Sequence, residues 1–214
     1  MSTIISDNFD RANSNTVGSG QTGGTWTEVD NSDASNVRIL SNQLRIGTDG
    51  DNVGGSQGAY IGHGTLTLPC TLSWKYVPGA GERQCRIGLW GTSNLAFQVG
   101  VRWNNANNSA GNSSLIDSGG DEGSTFQLDN TVTWYGWLDI VDSGGGEVDI
   151  SFYQSTTTTK PGSPTATATN ATKNADTSLR ISFDPSGTSQ NFDIDDVLLT
   201  DASVAAFIPK IMIF

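Results

Sequence analysis

The chain is poor in the residues from which helices are built: Glu and Lys contribute 4 each and Met 2 among 214 residues. Such a vocabulary excludes helical bundles and doubly wound α/β folds. Cysteine and histidine are equally scarce, with 2 and 1. Cys70 and Cys85 cannot hold a metal cluster alone, and one pair in a chain of this size is not a disulfide framework. Both are read as structurally buried, with free thiols favoured by cytoplasmic synthesis. His63 lies in Gly62-His63-Gly64, where flexible flanks make a poorly organised base, and no histidine-based zinc site remains. Positive charge is also short: 11 basic against 22 acidic residues give a net charge of −11, which repels phosphate backbones and excludes nucleic acid as a partner. Long apolar runs are missing as well. The most apolar stretch, residues 204–214, is interrupted by Pro209 and Lys210 and is too short to cross a bilayer. The opening MSTIISDNFD has neither a basic nor an apolar leader segment, so no secretory signal and no membrane partner are expected.

What the chain does contain is Gly 26, Ser 24, Thr 24 and Asn 17, a composition of strands and turns. Alternation supports this. Leu66, Leu68, Cys70, Leu72, Trp74 and Tyr76 share one parity, with polar residues and Pro69 on the other, which predicts a long strand with one buried face, at an edge or bulged at Pro69. The same period runs through Cys85, Ile87 and Leu89, through Phe97, Val99, Val101 and Trp103, through Val148, Ile150 and Phe152, and through Leu179, Ile181 and Phe183. VRILSNQLRI at 37–46 reads as two short strands folding back at Ser41 and Asn42. The Thr-rich stretch 155–178 resembles a linker, but only two convincing strands follow it, and two strands cannot bury a core of their own. They must return to sheets already built. The expectation is an all-β antiparallel two-sheet β-sandwich over 1–203 with a Thr-rich excursion, followed by an apolar tail at 204–214.

Particular segments carry a resemblance. DNFDRANSNTVGSG, then GTWTEV, then NVRILSNQLRIG, and at the end NFDIDDVLLTD are similar to the concanavalin A-like jelly-roll family. Its members begin with a D-x-F-x-R segment, a G-x-W strand and an N-x-L-R strand, and end with a D-D-V or D-N-V strand. The resemblance implies a jelly roll used as a lectin-like module, as a glycoside hydrolase, or as a structural part of a tailed-phage particle. It further implies a structural calcium held by Asp7 or Asp10 with Asp195 or Asp196, against the alternative of solvated turn acids. No other cofactor is required.

Glycosidases of this fold resemble E-x-D-x-E, with carboxyl groups flanking the bond to be cut. Glu147-Val148-Asp149 has the first two acids, but Ser151 and Phe152 stand where the third belongs, so no catalytic residue is assigned. Gly54-Gly55-Ser56-Gln57-Gly58 matches a nucleophile elbow by letter but lacks the following helix. Among six tryptophans, Trp74 and Trp103 fall on core parities. Trp90 breaks the parity of its strand, and Trp134-Tyr135-Gly136-Trp137 is too dense to be buried whole, so Trp90, Trp134, Tyr135 and Trp137 are the candidates for a sugar-stacking face.

The expected function is a non-enzymatic structural protein of a tailed-phage virion: a capsid decoration or cement protein, or a tail or fibre component. It would be made in the host cytoplasm and partnered by other copies of itself, other virion proteins and surface glycans. A carbohydrate-binding lectin-like module is the alternative, with a glycoside hydrolase third. In the tail, Phe207, Ile208, Ile211, Met212, Ile213 and Phe214 form an apolar group that must be covered, by its own domain or by a neighbouring subunit.

Overall fold

A computed structural model describes residues 1–29, 36–47, 53–54, 57–78, 83–91, 99–105, 113–118, 120–127, 129, 132–183, 188–189 and 191–202. All regular structure among them is β. The strands are β1 (Ser2–Asp7), β2 (Thr27–Val29), β3 (Val37–Leu40), β4 (Gln43–Gly47), β5 (Val53–Gly54), β6 (Gly58–Gly62), β7 (Cys70–Pro78), β8 (Arg83–Leu89), β9 (Val99–Asn105), β10 (Ser113–Ile116), β11 (Asp121–Phe126), β12 (Trp134–Gly144), β13 (Glu147–Ser155), β14 (Ala166–Thr172), β15 (Ser178–Phe183), β16 (Thr188–Ser189) and β17 (Asn191–Asp201). The tail residues Phe207 to Phe214 lie outside the described part.

Two antiparallel sheets face each other across one core. The eight-stranded sheet runs β14-β13-β12-β7-β17-β4-β3, with β1 also paired to β17. The seven-stranded sheet runs β11-β10-β9-β8-β15-β6-β2. β5 and β16 form a separate two-stranded ribbon. The two strands after the Thr-rich stretch divide as the sandwich requires: β15 enters the seven-stranded sheet between β8 and β6, and β17 the eight-stranded sheet between β7 and β4.

Alternate side chains of each strand point inward and are buried. The centre is aromatic. Trp74 and Tyr76 of β7, Phe152 of β13 and Phe192 of β17 meet Trp103 of β9 and Phe126 of β11, with ring centroids 4.6 Å apart for Tyr76–Trp103, 5.6 Å for Trp74–Trp103 and 5.0 Å for Phe126–Phe152. Gly136 makes room for this packing, because a Cβ there would stand 2.6 Å from the Trp74 ring. At the N-terminus the Asp7 carboxylate accepts four hydrogen bonds, from the Phe9 N–H at 2.8 Å, both Arg11 Nη groups at 2.9 and 2.8 Å, and Trp26 Nε1 at 2.8 Å. Phe9 and Trp26 then pack at 5.6 Å.

Two expectations need correction. β7 begins at Cys70 and lies in the middle of its sheet, not at an edge; Pro69, which has no N–H for a ladder, falls just before it. The Thr-rich stretch is not all excursion, since its second half forms β14, an edge strand whose Ala166, Ala168 and Ala171 are buried. Cys70 and Cys85 lie in opposite layers, on β7 and β8, and both are buried outside any disulfide. Burial, with Asp201 and Asp139 nearby, pushes the Cys70 thiol up to about 12, so it stays protonated and inert.

The aromatic centre makes a stability prediction. Trp103→Ala should cost about 3–5 kcal/mol, and Gly136→Ala should also destabilise, by forcing the Trp74 ring aside. Chemical denaturation of the three proteins measures both, and a Gly136→Ala protein as stable as the parent would contradict the packing described.

Candidate functional site

Because Cys85, Ile87 and Leu89 fill the core, β8 must turn Arg86 and Gly88 to the other side of the seven-stranded sheet. β9 does the same with Gly100 and Arg102, β15 with Arg180 and Ser182, β10 with Ser114 and Ile116, and β6 with Gly58 and Tyr60. Register aligns them into two rows. One row runs Tyr60, Arg180, Gly88, Gly100, Ile116. The other runs Gly58, Ser182, Arg86, Arg102, Ser114.

Three of the chain's 11 basic residues therefore share one face. Arg86 and Arg102 stand directly opposite each other. Arg180 has no exposed surface, and its guanidinium carbon lies 5.9 Å from the centre of the Tyr60 ring, within cation–π range. Burial strips its hydration and lowers its pKa to about 10, against the opposing influence of Tyr60. Beside Arg180 the floor carries no side chains. A Cβ at Gly88 would be 2.4 Å from the Val99 carbonyl oxygen, and one at Gly100 2.2 Å from that of Ile87. Ser182 Oγ, fully buried in the next row, has no hydrogen-bond partner among the described residues. A buried hydroxyl without a partner is uncommon in folded proteins. Tyr60, Arg86 and Arg102 are half-buried, so the face is enclosed but reachable.

The predicted sugar-stacking residues do not form one face. Trp90 closes β8 with φ 56 and is 7% exposed. Its ring meets His63 edge-on at 5.9 Å, and Lys173 Nζ lies 5.2 Å from its centre. Trp134 packs against the core and donates from Nε1 to the Asp129 carbonyl at 2.8 Å. Tyr135 and Trp137 point away from the core on the eight-stranded sheet, stacked at 6.5 Å. Alternation along β12 separates these two from Trp134.

The acids proposed for calcium are also dispersed in their bonding. Asp7 spends both oxygens on Phe9, Arg11 and Trp26, Asp10 is exposed, and Asp195 is held by Lys75 at 3.0 Å. Among the described residues no three metal-binding side chains converge. The D-x-F-x-R and G-x-W segments thus meet as a structural knot built on Asp7. Glu147 and Asp149 flank buried Val148 on β13, half-buried and facing away from the core, and Asp149 accepts from the Asn170 N–H at 3.0 Å.

No family model matches the chain, and no curated protein does. Solved structures match it well. A glycosyl hydrolase family protein from Mycobacterium fortuitum superposes with a TM-score of 0.57 at 15% identity, covering 94% of this chain and 100% of that one. The alginate lyase Aly36B gives 0.55 at 13% identity over 92% and 96%. A GH43 glycoside hydrolase from work that engineered its active site to display both endo-xylanase and exo-arabinofuranosidase activity gives 0.51 at 12%, over 94% of this chain and 41% of that one. The fold is a jelly-roll sandwich. These neighbours are carbohydrate-active enzymes and not particle components, which overturns the expectation of a non-enzymatic virion protein and leaves its phage association without support.

The three arginines were missed because sequence reading fixed only their parity; what brings them together is the insertion of β15 beside β8, a pairing across more than 90 residues. The signal available was a basic residue at the non-core parity of RQCRIGL, VGVRW and SLRISF.

His63 makes a testable structural case. It is buried, its Nδ1 donates to the Gly64 carbonyl at 2.7 Å, and its Nε2 accepts from the Trp90 N–H at 3.4 Å, which fixes a neutral ring. Burial lowers its pKa below 6.5, outweighing the backbone bonds that raise it. Below pH 6.5 the unfolded chain takes up a proton that the fold refuses, so stability falls with pH there and is unaffected above. Between about pH 7 and about pH 5 the melting temperature of His63→Asn should fall less than that of the parent; parallel curves would refute this.

Proposed function

We propose that the chain is a carbohydrate-active protein that binds an acidic polysaccharide, a polyuronate, along the outer face of the seven-stranded sheet and cleaves it by β-elimination. The observation that carries this reading is the gathering of Arg86, Arg102 and Arg180 beside Tyr60 in a chain of net charge −11. Guanidinium groups match carboxylates in bidentate geometry. Support also comes from the neighbours, one of which is a variant of Aly36B in complex with alginate trisaccharide.

The chemistry follows from the residues. A uronate carboxylate bound by guanidinium groups is partly neutralised, which acidifies the hydrogen on the adjacent ring carbon and stabilises the enolate formed when it leaves. The phenolate form of Tyr60 takes that proton. The electron pair forms a carbon–carbon double bond while the bond to the leaving glycosidic oxygen breaks, and Tyr60 returns its proton to that oxygen. One sugar chain becomes two, one bearing an unsaturated uronate, with no water consumed.

The assay is the ultraviolet absorbance of unsaturated uronate released from alginate and from polygalacturonate. Tyr60→Phe should lower kcat by about 10²–10⁴-fold with binding retained, whereas Arg86→Ala with Arg102→Ala should raise KM and weaken retention in a polyuronate-containing gel. A parent protein that neither binds nor cleaves either polymer would overturn the proposal; binding without cleavage would leave the recognition and remove Tyr60 as the proton carrier.

A further inference from the structure

The outer face of the eight-stranded sheet carries a second recess, on the side of the sandwich away from the arginines. Ser73, Trp74, Tyr135, Trp137, Thr158 and Asp196 line about 190 Å³. That is below the span of about 300–1,000 Å³ typical of drug-sized ligands, and suits one sugar ring. Register builds it: Trp137 lies beside Ser73 on one side and Tyr153 on the other, and Tyr135 lies beside Lys75. Tyr135 and Trp137 stack with an interplanar angle of 27°, presenting an apolar floor. Asp196 reaches the rim because β17 changes register between Asp195 and Leu198, leaving Asp196 exposed with φ 50. A left-handed aspartate is strained, and such strain concentrates at functional positions. The other rim is Thr158, whose segment is pinned onto the sheet by Lys160. That lysine pairs with Asp139 and places Nζ 4.1 Å from the centre of the Tyr153 ring.

We propose that this recess is a binding site for a neutral polysaccharide, in which one pyranose ring stacks on Tyr135 and Trp137 while its hydroxyl groups bond Asp196, Ser73 and Thr158. Charge chooses the occupant. Asp139, Asp193, Asp195 and Asp196 lie on this face, and the cations among them are committed, Arg45 to Asp193, Lys75 to Asp195 and Lys160 to Asp139. A polyuronate is repelled where a neutral sugar is not. Aromatic faces bury the apolar side of a sugar and leave its hydroxyl groups to the polar rim. Partial desolvation and the neighbouring Asp195 hold the Asp196 carboxyl above the usual carboxylate range, against the pull of Lys75. Lys160 is a positioning residue, since it fixes Thr158 without touching the sugar. The inference stands independently of the polyuronate reading.

Affinity electrophoresis through gels containing laminarin, hydroxyethylcellulose, arabinoxylan or galactomannan tests it. The parent should be retarded by at least one of these, Trp137→Ala and Tyr135→Ala should each reduce that retardation by tenfold or more in apparent affinity, and Lys160→Ala should weaken it with an unchanged melting temperature. Since Trp137→Ala also changes stability, Asp196→Asn serves as a second variant that removes charge and not volume; it should change affinity while leaving the melting temperature near the parent's. A parent that none of the four polymers retards, or a Trp137→Ala protein that is folded and retarded like the parent, overturns the proposal.

Discussion

The central strands of this sandwich alternate inward and outward with a period of two, and that constraint places the chemistry as firmly as it places the core. A strand that buries Cys85, Ile87 and Leu89 must present Arg86 to the opposite side, and the same holds for Arg102 between Val101 and Trp103 and for Arg180 between Leu179 and Ile181. A one-residue slip in any of these strands would drive a guanidinium into the aromatic centre. The core therefore enforces the arginine face.

The fold is closed by a small number of polar ties. Asp7 gathers Phe9, Arg11 and Trp26, fixing the first strand where it meets β17. Asp117 links the turn after β10 to edge strand β14, accepting from the Gly120 N–H at 3.0 Å and the Thr172 N–H at 2.7 Å. Asp7, which attracts attention as a metal ligand, is thereby occupied by backbone and side-chain donors, and the D-x-F-x-R and G-x-W segments that meet on it hold the fold.

Local alternation made the core legible from the sequence. Trp74, Tyr76, Trp103 and Phe152 all lie where their parity puts them, and Ser41 and Asn42 turn the β3–β4 hairpin with φ 54 and 61. Strand order was not legible, since Arg180 meets Tyr60 and the β8 row through pairings set by the whole chain. Density of aromatics was a poor guide for the same reason. Trp134 and Trp137 are three residues apart, yet the first packs against the core while the second faces outward, and Trp90 is absorbed by His63 and the core. The virion reading drew on the absence of a familiar catalytic set. That inference failed because arginines and a tyrosine scattered over three strands carry no spacing signature.

Two faces of opposite character result, one gathering guanidinium groups and the other carboxylates with stacked aromatics. The central claim is that the first recognises the carboxylates of its sugar. Calorimetric titration with a uronate oligosaccharide and with the same oligosaccharide after reduction of its carboxyl groups to alcohols tests it most directly. The account predicts that reduction weakens binding by about tenfold or more, as loss of charge-assisted bonds requires, and that the affinity of the acidic form falls as salt is raised. Equal affinity for the two forms, insensitive to salt, would contradict it.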